Sequence, residues 1–496
     1  MKNFILITSI SFLLLGCGGE SKNSSSLPVA SEQKEPPKPP NVIVIFTDDH
    51  GYADLGSQNQ VADIHTPNID TLAANGVRFT NGYVTAPQCA PSRAGLLTGV
   101  YQQRFGFDEN KHGPLPTQVQ TIATAYKELG YATGMVGKWH LEVTNSSLEW
   151  AQANAPDLSP FRANDLPIDT RKEYFPDAMG FDYTVMGYQT WFWRNFDSKG
   201  LFPEAAYRKT DEYRIDHVTN AAADFIRLNN EKPFFLYISP YGPHVPLEAI
   251  EEDLSLFSDN MPTRRKYALA MLHAIDRGVG SIVSVLEEFQ LLENTLIFIV
   301  SDNGAPLGET MEDAPLTEYG IWDGSLNTPL TGEKGMLTEG GIKVPFIAYW
   351  QGKLSGGLVV DTPVLTLDIA KTALGLAGMS KEKLEQYDGE ELMGVMTQQA
   401  PINNINERAI YWRFYGQRAI RKGDWKYLQA GIEREYLFNL ADDPEEKINL
   451  INDFENKAAE LKSEYEAWDR DNKRIDPYSE LGRPFARRFD YYLDRS

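Results

Sequence analysis

The sequence predicts an α/β protein: a large doubly wound mixed sheet sandwiched by helices, with a smaller C-terminal subdomain of antiparallel strands and a helix. Three observations predict it. The apolar runs Val42–Phe46 in "NVIVIFTDD" and Leu296–Val300 in "NTLIFIVSDNG" are short, β-branched and continuous, the pattern of strands buried on both faces. Helical patterns fill the intervals between such runs, which makes alternating β and α units. After Leu392 the character changes, and "QRAIRKGDWKYLQAG" and "EREYLFNLADDPEEKINL" alternate as a short antiparallel sheet does.

Taken in chain order, residues 1–16 read as a signal peptide. Lys2 supplies the positive start, and Phe4–Leu15 is an apolar run too short to span a bilayer as a helix. The ending Leu14-Leu15-Gly16-Cys17 resembles a bacterial lipoprotein signal, in which Cys17 is lipidated and becomes the new N-terminus; the alternative is an ordinary cleaved signal with an incidental cysteine. Gly18 and Gly19 follow, not the Asp that retains such proteins at the inner membrane. The expectation is an exported chain anchored by lipid, at the outer membrane, touching the membrane through Cys17 alone. Residues 17–40, rich in Ser, Glu, Lys and Pro, read as a disordered tether.

Residues 41–399 carry the main α/β domain. Besides the two opening runs, strands are expected at Ala132–Val136 and Phe234–Ile238, and helices at Asp70–Asn75, Thr121–Leu129 and Arg265–Phe289. Residues 400–496 form the smaller subdomain, with a helix from about Asn452 to Asp469. The chemistry gathers at the ends of the strands. Asp48-Asp49 and Asp302-Asn303 follow the two opening runs, Lys138 and His140 follow the third, and His244 comes shortly after the fourth. In open α/β sheets ligands bind at that edge.

Asp48, Asp49, Asp302 and Asn303 together offer only oxygen donors, which suits Ca²⁺ or Mg²⁺ better than zinc. Arg93, Lys138, Lys334, His140 and His244 bring positive charge, so metal and cations at one edge make a pocket for a tetrahedral oxyanion. This matters in a chain of net charge -22, which excludes general affinity for nucleic acid. Cys89 is one of two cysteines, and with Cys17 lipidated it has no intramolecular disulfide partner. Pro91 places it at or near a helix N-terminus, where anions are favoured. From the residues alone, Cys89 is an inert buried thiol or a thiolate nucleophile.

"CAPSRAGLLTG" at Cys89–Gly99 resembles the signature of the type I, formylglycine-dependent sulfatases of the alkaline phosphatase superfamily. Further segments resemble the same family: "TDDHGYADLG", "HTPNIDTLAANGVRFTNGY", "GKWHL", "PYGPHVP", "SDNG", "GEKGMLTEGGIKVPF" and, near the end, "IRKGDWKYL". One departure is Lys343, where the family usually has Arg before Val-Pro. The resemblance implies that Asp48, Asp49, Asp302 and Asn303 hold one Ca²⁺ together with residue 89. It implies that a formylglycine-generating enzyme converts Cys89 to formylglycine (3-oxoalanine). Its hydrated form attacks sulfur with one hydroxyl, and deprotonating the other then expels sulfate and restores the aldehyde. Lys138 and Lys334 would stabilise the sulfuryl oxygens, His244 would protonate the leaving oxygen, His140 would act as base, and Arg93 would support the formylglycine oxygens.

The implied substrate is an extracellular sulfated polysaccharide, with the algal glycans carrageenan or ulvan as best guesses by resemblance. Trp191, Trp193 and Arg194 in "MGYQTWFWRNFDSKG", and Trp412 and Arg413 in "YWRFYGQR", are candidates to stack on sugars or pair with a neighbouring sulfate; alternatively they pack the two domains together. Two other readings compete: a formylglycine-dependent phosphonate or phosphodiester hydrolase, and an inactive glycan-binding lipoprotein.

Overall fold

The apolar runs Val42–Phe46 and Leu296–Val300 are neighbours. Asn41–Thr47 and Thr295–Ser301 pair in parallel along their whole length, Asn41 opposite Thr295 and Thr47 opposite Ser301. Asp48 and Asp302, the next residue of each, therefore leave the sheet side by side. The computed structural model describes residues 38–308, 322–399, 408–474, 481 and 483–494. The expected signal peptide, the expected lipidation site Cys17 and most of the expected tether lie outside these residues.

The main sheet has ten strands. From edge to edge they are Leu358–Val360, Val77–Phe79, Phe346–Tyr349, Thr295–Ser301, Asn41–Thr47, Phe234–Ser239, Ala132–Gly137, Tyr183–Tyr188, Trp191–Asp197 and Gly200–Lys209. The five from Thr295–Ser301 to Tyr183–Tyr188 are parallel. Phe346–Tyr349 and the hairpin strands Trp191–Asp197 and Gly200–Lys209 run antiparallel to their neighbours, so the sheet is mixed. The strands expected from sequence are all present, each extended by a residue or two.

The central strand shows why its run is continuously apolar. Val42, Val44 and Phe46 face one helical layer, which contains the helices Cys89–Thr98, Ile122–Glu128 and Thr366–Leu376. Ile43 and Ile45 face the other, which contains Pro67–Ala74, Arg214–Leu228 and Thr263–Glu288. Successive side chains of a strand point to opposite faces, and here both faces are covered.

The C-terminal sheet is antiparallel in chain order: Ala409–Phe414, Gln417–Lys422, Trp425–Ala430 and Arg434–Asn439. One face takes the helix Glu455–Arg470 through Ala458, Leu461 and Tyr465. Ile410, Trp412 and Phe414 on the other join the core cluster of the main sheet. The contact also contains buried charge: Lys426 Nζ lies 2.9 Å from Glu339 and 2.8 Å from Glu446. This holds the C-terminal sheet against the segment that follows Lys334.

Candidate active site

Four parallel strands end at one edge, and each delivers part of a single cluster. Asp49 has φ +60°, an uncommon left-handed conformation that turns the chain just past its strand. Without that turn, Asp48 and Asp49 would point to opposite faces. The turn is fixed from both sides, since Asp48 N–H donates to Gly242 O (3.1 Å) and Asp49 N–H to Asp302 Oδ1 (3.1 Å).

The floor of the cluster is rich in oxygen. Asp48, Asp49, Cys89 and His244 each offer a ligand atom within 4.8 Å of the others. Asn303 Nδ2 donates to Asp49 Oδ1 at 2.6 Å, while the buried Asn303 Oδ1 has no hydrogen-bond partner. Asp302 is pushed up to about 6 by burial, against the pull of Arg93. An acceptor without a donor among crowded carboxylates is what a hard divalent cation would satisfy, and carboxylate and amide oxygens are its preferred ligands. The residues fit such an ion, with Asp48, Asp49, Asp302, Asn303 and the side chain of residue 89 around it and His244 at the rim.

Cationic groups stand over this floor. Lys138 Nζ sits 2.7 and 2.8 Å from the two Asp48 oxygens, and Lys334 Nζ 2.7 and 2.8 Å from those of Asp49. The side chains of Lys138, Lys334 and His244 keep 11, 18 and 14% exposure, whereas those of Asp48 and Asp49 keep 1%. The two ammonium groups and the His244 imidazole therefore line the entrance, and the carboxylates the base. Arg93 is buried completely beneath, with Nη2 2.6 Å from Asp302 and Nη1 bonded to Tyr237 Oη (3.0 Å), Lys138 O (3.2 Å) and Ser239 Oγ.

The two histidines are prepared differently. His244 Nδ1 lies 2.6 Å from Val245 O. A carbonyl only accepts, so Nδ1 carries the proton and Nε2, 3.6 Å from Asp49, is left as the exchanging nitrogen. Burial lowers His244 to about 4, partly offset by Asp48 and Asp49. Burial, then Lys138 and Arg93, hold His140 well below the usual imidazole range. Its buried Nδ1 has no partner, so His140 is a neutral base at the same edge.

Cys89 is the first residue of the helix Cys89–Thr98, and Gln88 before it is extended. Its Sγ lies 3.5 Å from Asp48 Oδ1 and 3.8 Å from Asp49 Oδ1. Burial, and then the Asp302 carboxylate, push the thiol well above its usual range. An unaltered Cys89 is thus a thiol and a weak nucleophile. The helix N-terminus contributes fewer donors than the sequence suggests, because Ala90 N–H is taken by Asn110 Oδ1 (3.2 Å) and Pro91 has none. The side chains of Arg93, Lys138 and Lys334 carry the positive charge instead.

The sulfatase family model matches residues 40–379, which contain every residue of this cluster. The chain belongs to the sulfatase family. A second model, described as N-sulphoglucosamine sulphohydrolase, C-terminal, matches residues 332–470. The N-acetylgalactosamine-6-sulfatase of Canis lupus familiaris is 30% identical over 79% of this chain and 72% of its own length. The N-acetylgalactosamine-6-O-sulfatase of Bacteroides thetaiotaomicron is 28% identical over 88% and 93%. Among solved structures, Ps i-CgsB superposes with a TM-score of 0.72 at 28% identity, covering 92% of this chain and 97% of its own, both alone and in complex with k-i-k-neocarrahexaose. As a member of this family, the chain is a sulfuric ester hydrolase.

In this sulfatase the aromatic candidates separate. Trp412 is fully buried and donates Nε1–H to Val84 O (2.6 Å). Trp193 is buried among Phe175 and Tyr207, and its Nε1–H reaches Asp177 (3.3 Å). Arg413 is spent on Asp108 (2.5 Å) and Asp469 (2.6 Å), and Arg194 bonds Phe196 O of its own hairpin. These four are packing and pairing residues, which corrects the expectation that they face a sugar: neighbouring groups cover Trp193 and Trp412, two acids claim Arg413, and the backbone of its own hairpin holds Arg194. Trp191 is 55% exposed. It opens the strand after Tyr188, whose hydroxyl donates to Val245 O (2.8 Å) beside His244.

Lys343 is buried 3.9 Å from Glu339 and over the Tyr52 ring, away from the cluster, so the departure from the family pattern falls on a structural position. Asp323 was not foreseen. It is buried against Asp49 and accepts from Val245 N–H at 3.4 Å; burial and Asp49 push it well above the usual carboxylate range. No spacing in "WDGSLNTPL" points to it. Tyr237 and Ser239, which hold Arg93, lie within the Phe234–Ser239 strand and read from sequence only as strand residues.

Proposed function

We propose that this sulfatase removes sulfate from an extracellular sulfated glycan, using formylglycine made from Cys89 and one Ca²⁺. The observation that carries the reading is the layering of charge: three carboxylates (Asp48, Asp49, Asp302) at the base, and the ammonium groups of Lys138 and Lys334 at the entrance beside the imidazole of His244. The carboxylates are formally balanced by Arg93, Lys138 and Lys334, so a divalent cation gives the pocket a positive surplus that suits a sulfate ester.

Asp48, Asp49, Asp302 and Asn303 would hold the Ca²⁺, which supplies Lewis-acid polarisation of the sulfuryl oxygens. Formylglycine at residue 89 would supply a hydrated aldehyde whose hydroxyl is the nucleophile, a role the raised thiol of Cys89 fills poorly. Lys138 and Lys334 place ammonium groups where charge grows on the sulfuryl oxygens. His244, neutral with Nδ1–H on Val245 O, would act as general acid only once Nε2 takes up a proton beside the bound sulfate ester, and it would then pass that proton to the leaving sugar oxygen. His140, neutral, takes the proton whose loss releases sulfate, and Arg93 orients residue 89 from below.

For the substrate, the similar N-acetylgalactosamine sulfatases and the carrageenan-oligosaccharide complex of Ps i-CgsB share galacto-configured sulfated sugars. A sulfated galactan of the carrageenan type is therefore favoured over ulvan, with Trp191 as the exposed aromatic beside the His244 loop. The chain is exported, tethered by lipid on Cys17, and matured by a formylglycine-generating enzyme. The test is a panel of carrageenan and ulvan oligosaccharides, aryl sulfate, aryl phosphonate and aryl phosphodiester. Release of sulfate from carrageenan oligosaccharides by the native protein, abolished in Cys89→Ala, is expected. Preference for the phosphorus esters would replace the reading with the related hydrolase, and glycan binding without turnover would leave a binding lipoprotein.

A further inference from the structure

The loop carrying Lys334 is anchored from outside the catalytic sheet. Lys334 N–H donates to Ala305 O (3.1 Å), just past the Asp302-Asn303 pair, and Gly335 N–H to Pro87 O (2.8 Å), just before Cys89. The remaining anchors come from the C-terminal subdomain. Gln417 donates to Gly335 O and accepts from Leu337 N–H, both at 2.8 Å. Arg488, on the helix Arg483–Tyr492, donates from Nη1 to Lys334 O itself (2.7 Å), and its Nε lies 3.2 Å from Glu333 Oε1. The other oxygen of Glu333 accepts from Leu307 N–H (2.6 Å) and Gly308 N–H (2.7 Å), so one buried carboxylate ties the metal-motif loop, the lysine loop and the terminal helix together.

The local sequence accommodates this clamp. Gly335 has φ +88°, a left-handed conformation that favours glycine, and a Cβ there would sit 3.0 Å from Arg488 Nη1, so any larger residue would push the guanidinium by a few tenths of an ångström. Arg488 packs over the Phe485 ring (5.4 Å), and Phe485 meets Phe414 and Tyr415 at 5.8 and 4.8 Å. The helix is thereby seated on the C-terminal sheet.

We infer that Arg488 is a positioning residue for Lys334: it fixes the backbone from which the ammonium group reaches the pocket, and the terminal helix is part of the catalytic apparatus. This rests on the role given to Lys334 above. Misplacing a catalytic group by an ångström costs about a hundredfold in rate, so a loosened lysine loop is expressed as lost turnover.

The test is a cycle of full-length proteins: wild type, Arg488→Met, Lys334→Ala and the double variant, with Arg488→Lys as the conservative replacement. Each is assayed for kcat/KM on whichever aryl ester, sulfate or phosphonate, the wild type prefers. Arg488→Met is expected to lower kcat/KM by about ten- to a hundredfold with Lys334 present, and by less than about twofold with Lys334→Ala, because sites acting through one group are not additive. Arg488→Lys, which keeps the positive charge but not the planar fork that reaches both Lys334 O and Glu333, is expected to recover part of the loss. An equal loss in both backgrounds, or none in either, overturns the inference. Preference for the phosphonate revises the substrate reading while leaving the cycle readable. Lys334→Ala at the wild-type rate withdraws both.

Discussion

Replacing Arg93 by Met tests the buried electrostatics of the site without reference to catalysis. Arg93 and Asp302 are both fully buried and 2.6 Å apart. Breaking a buried pair by removing one partner costs about 3–5 kcal/mol, because the other charge is left uncompensated. Here the carboxylate has an escape. Asp302 is raised to about 6 even beside Arg93, burial outweighing the guanidinium. Without Arg93 it rises further, and between pH 6 and that higher value the folded variant carries a proton that the folded wild type lacks. A group with a raised folded pKa stabilises the fold relatively as pH falls, so the penalty should shrink by about 1.4 kcal/mol per pH unit across that window. The assay is equilibrium denaturant unfolding in chelator at pH 6 and pH 8 for wild type, Arg93→Met and Arg93→Met/Asp302→Asn. The expected penalty is largest at pH 8, smaller at pH 6 and partly recovered in the double variant at pH 8. A penalty that is constant with pH and unchanged by Asp302→Asn would refute the reasoning.

Calcium at a hundred times its Kd should raise unfolding stability by about 2.7 kcal/mol, and Asn303→Leu should abolish the gain; an unchanged melting transition with calcium counts against the cation site. His244→Gln should cost about 10²–10⁴-fold on sugar sulfates but far less on nitrophenyl sulfate, whose leaving group needs no proton. Glu446 is raised to about 7 by burial, against the pull of Lys426, so wild-type stability should fall by up to about 3 kcal/mol as pH rises from about 5 to about 7, and Glu446→Gln should flatten that slope in unfolding curves. Trp412→Ala should cost about 3–5 kcal/mol of stability, whereas Trp191→Ala should leave unfolding within about 0.5 kcal/mol and raise KM for oligosaccharides.

The sheet core was legible because Val42–Phe46 and Leu296–Val300 are buried on both faces, and burial on both faces writes itself as an unbroken apolar run. The site was legible for a related reason: each strand ends in its functional residues, so Asp48, Lys138, His244 and Asp302 needed no knowledge of strand order. The aromatics were ambiguous, because Trp191 and Trp193 share a face of one strand, and only the packing of Phe175 and Tyr207 over Trp193 buries one and leaves the other exposed. Asp323, Gln417 and Arg488 left no local trace. Their roles come from contacts between segments tens to hundreds of residues apart, which spacing does not encode.

Sulfate ester cleavage at this site depends most directly on residue 89 acting as a modified nucleophile. The decisive measurement is the mass of the Cys89 peptide from native protein, taken together with sulfate release by that same preparation. Conversion of the thiol side chain to an aldehyde, with sulfate release rising in proportion to the converted fraction, is the predicted result. Sulfate release by protein in which Cys89 remains entirely a thiol would contradict it.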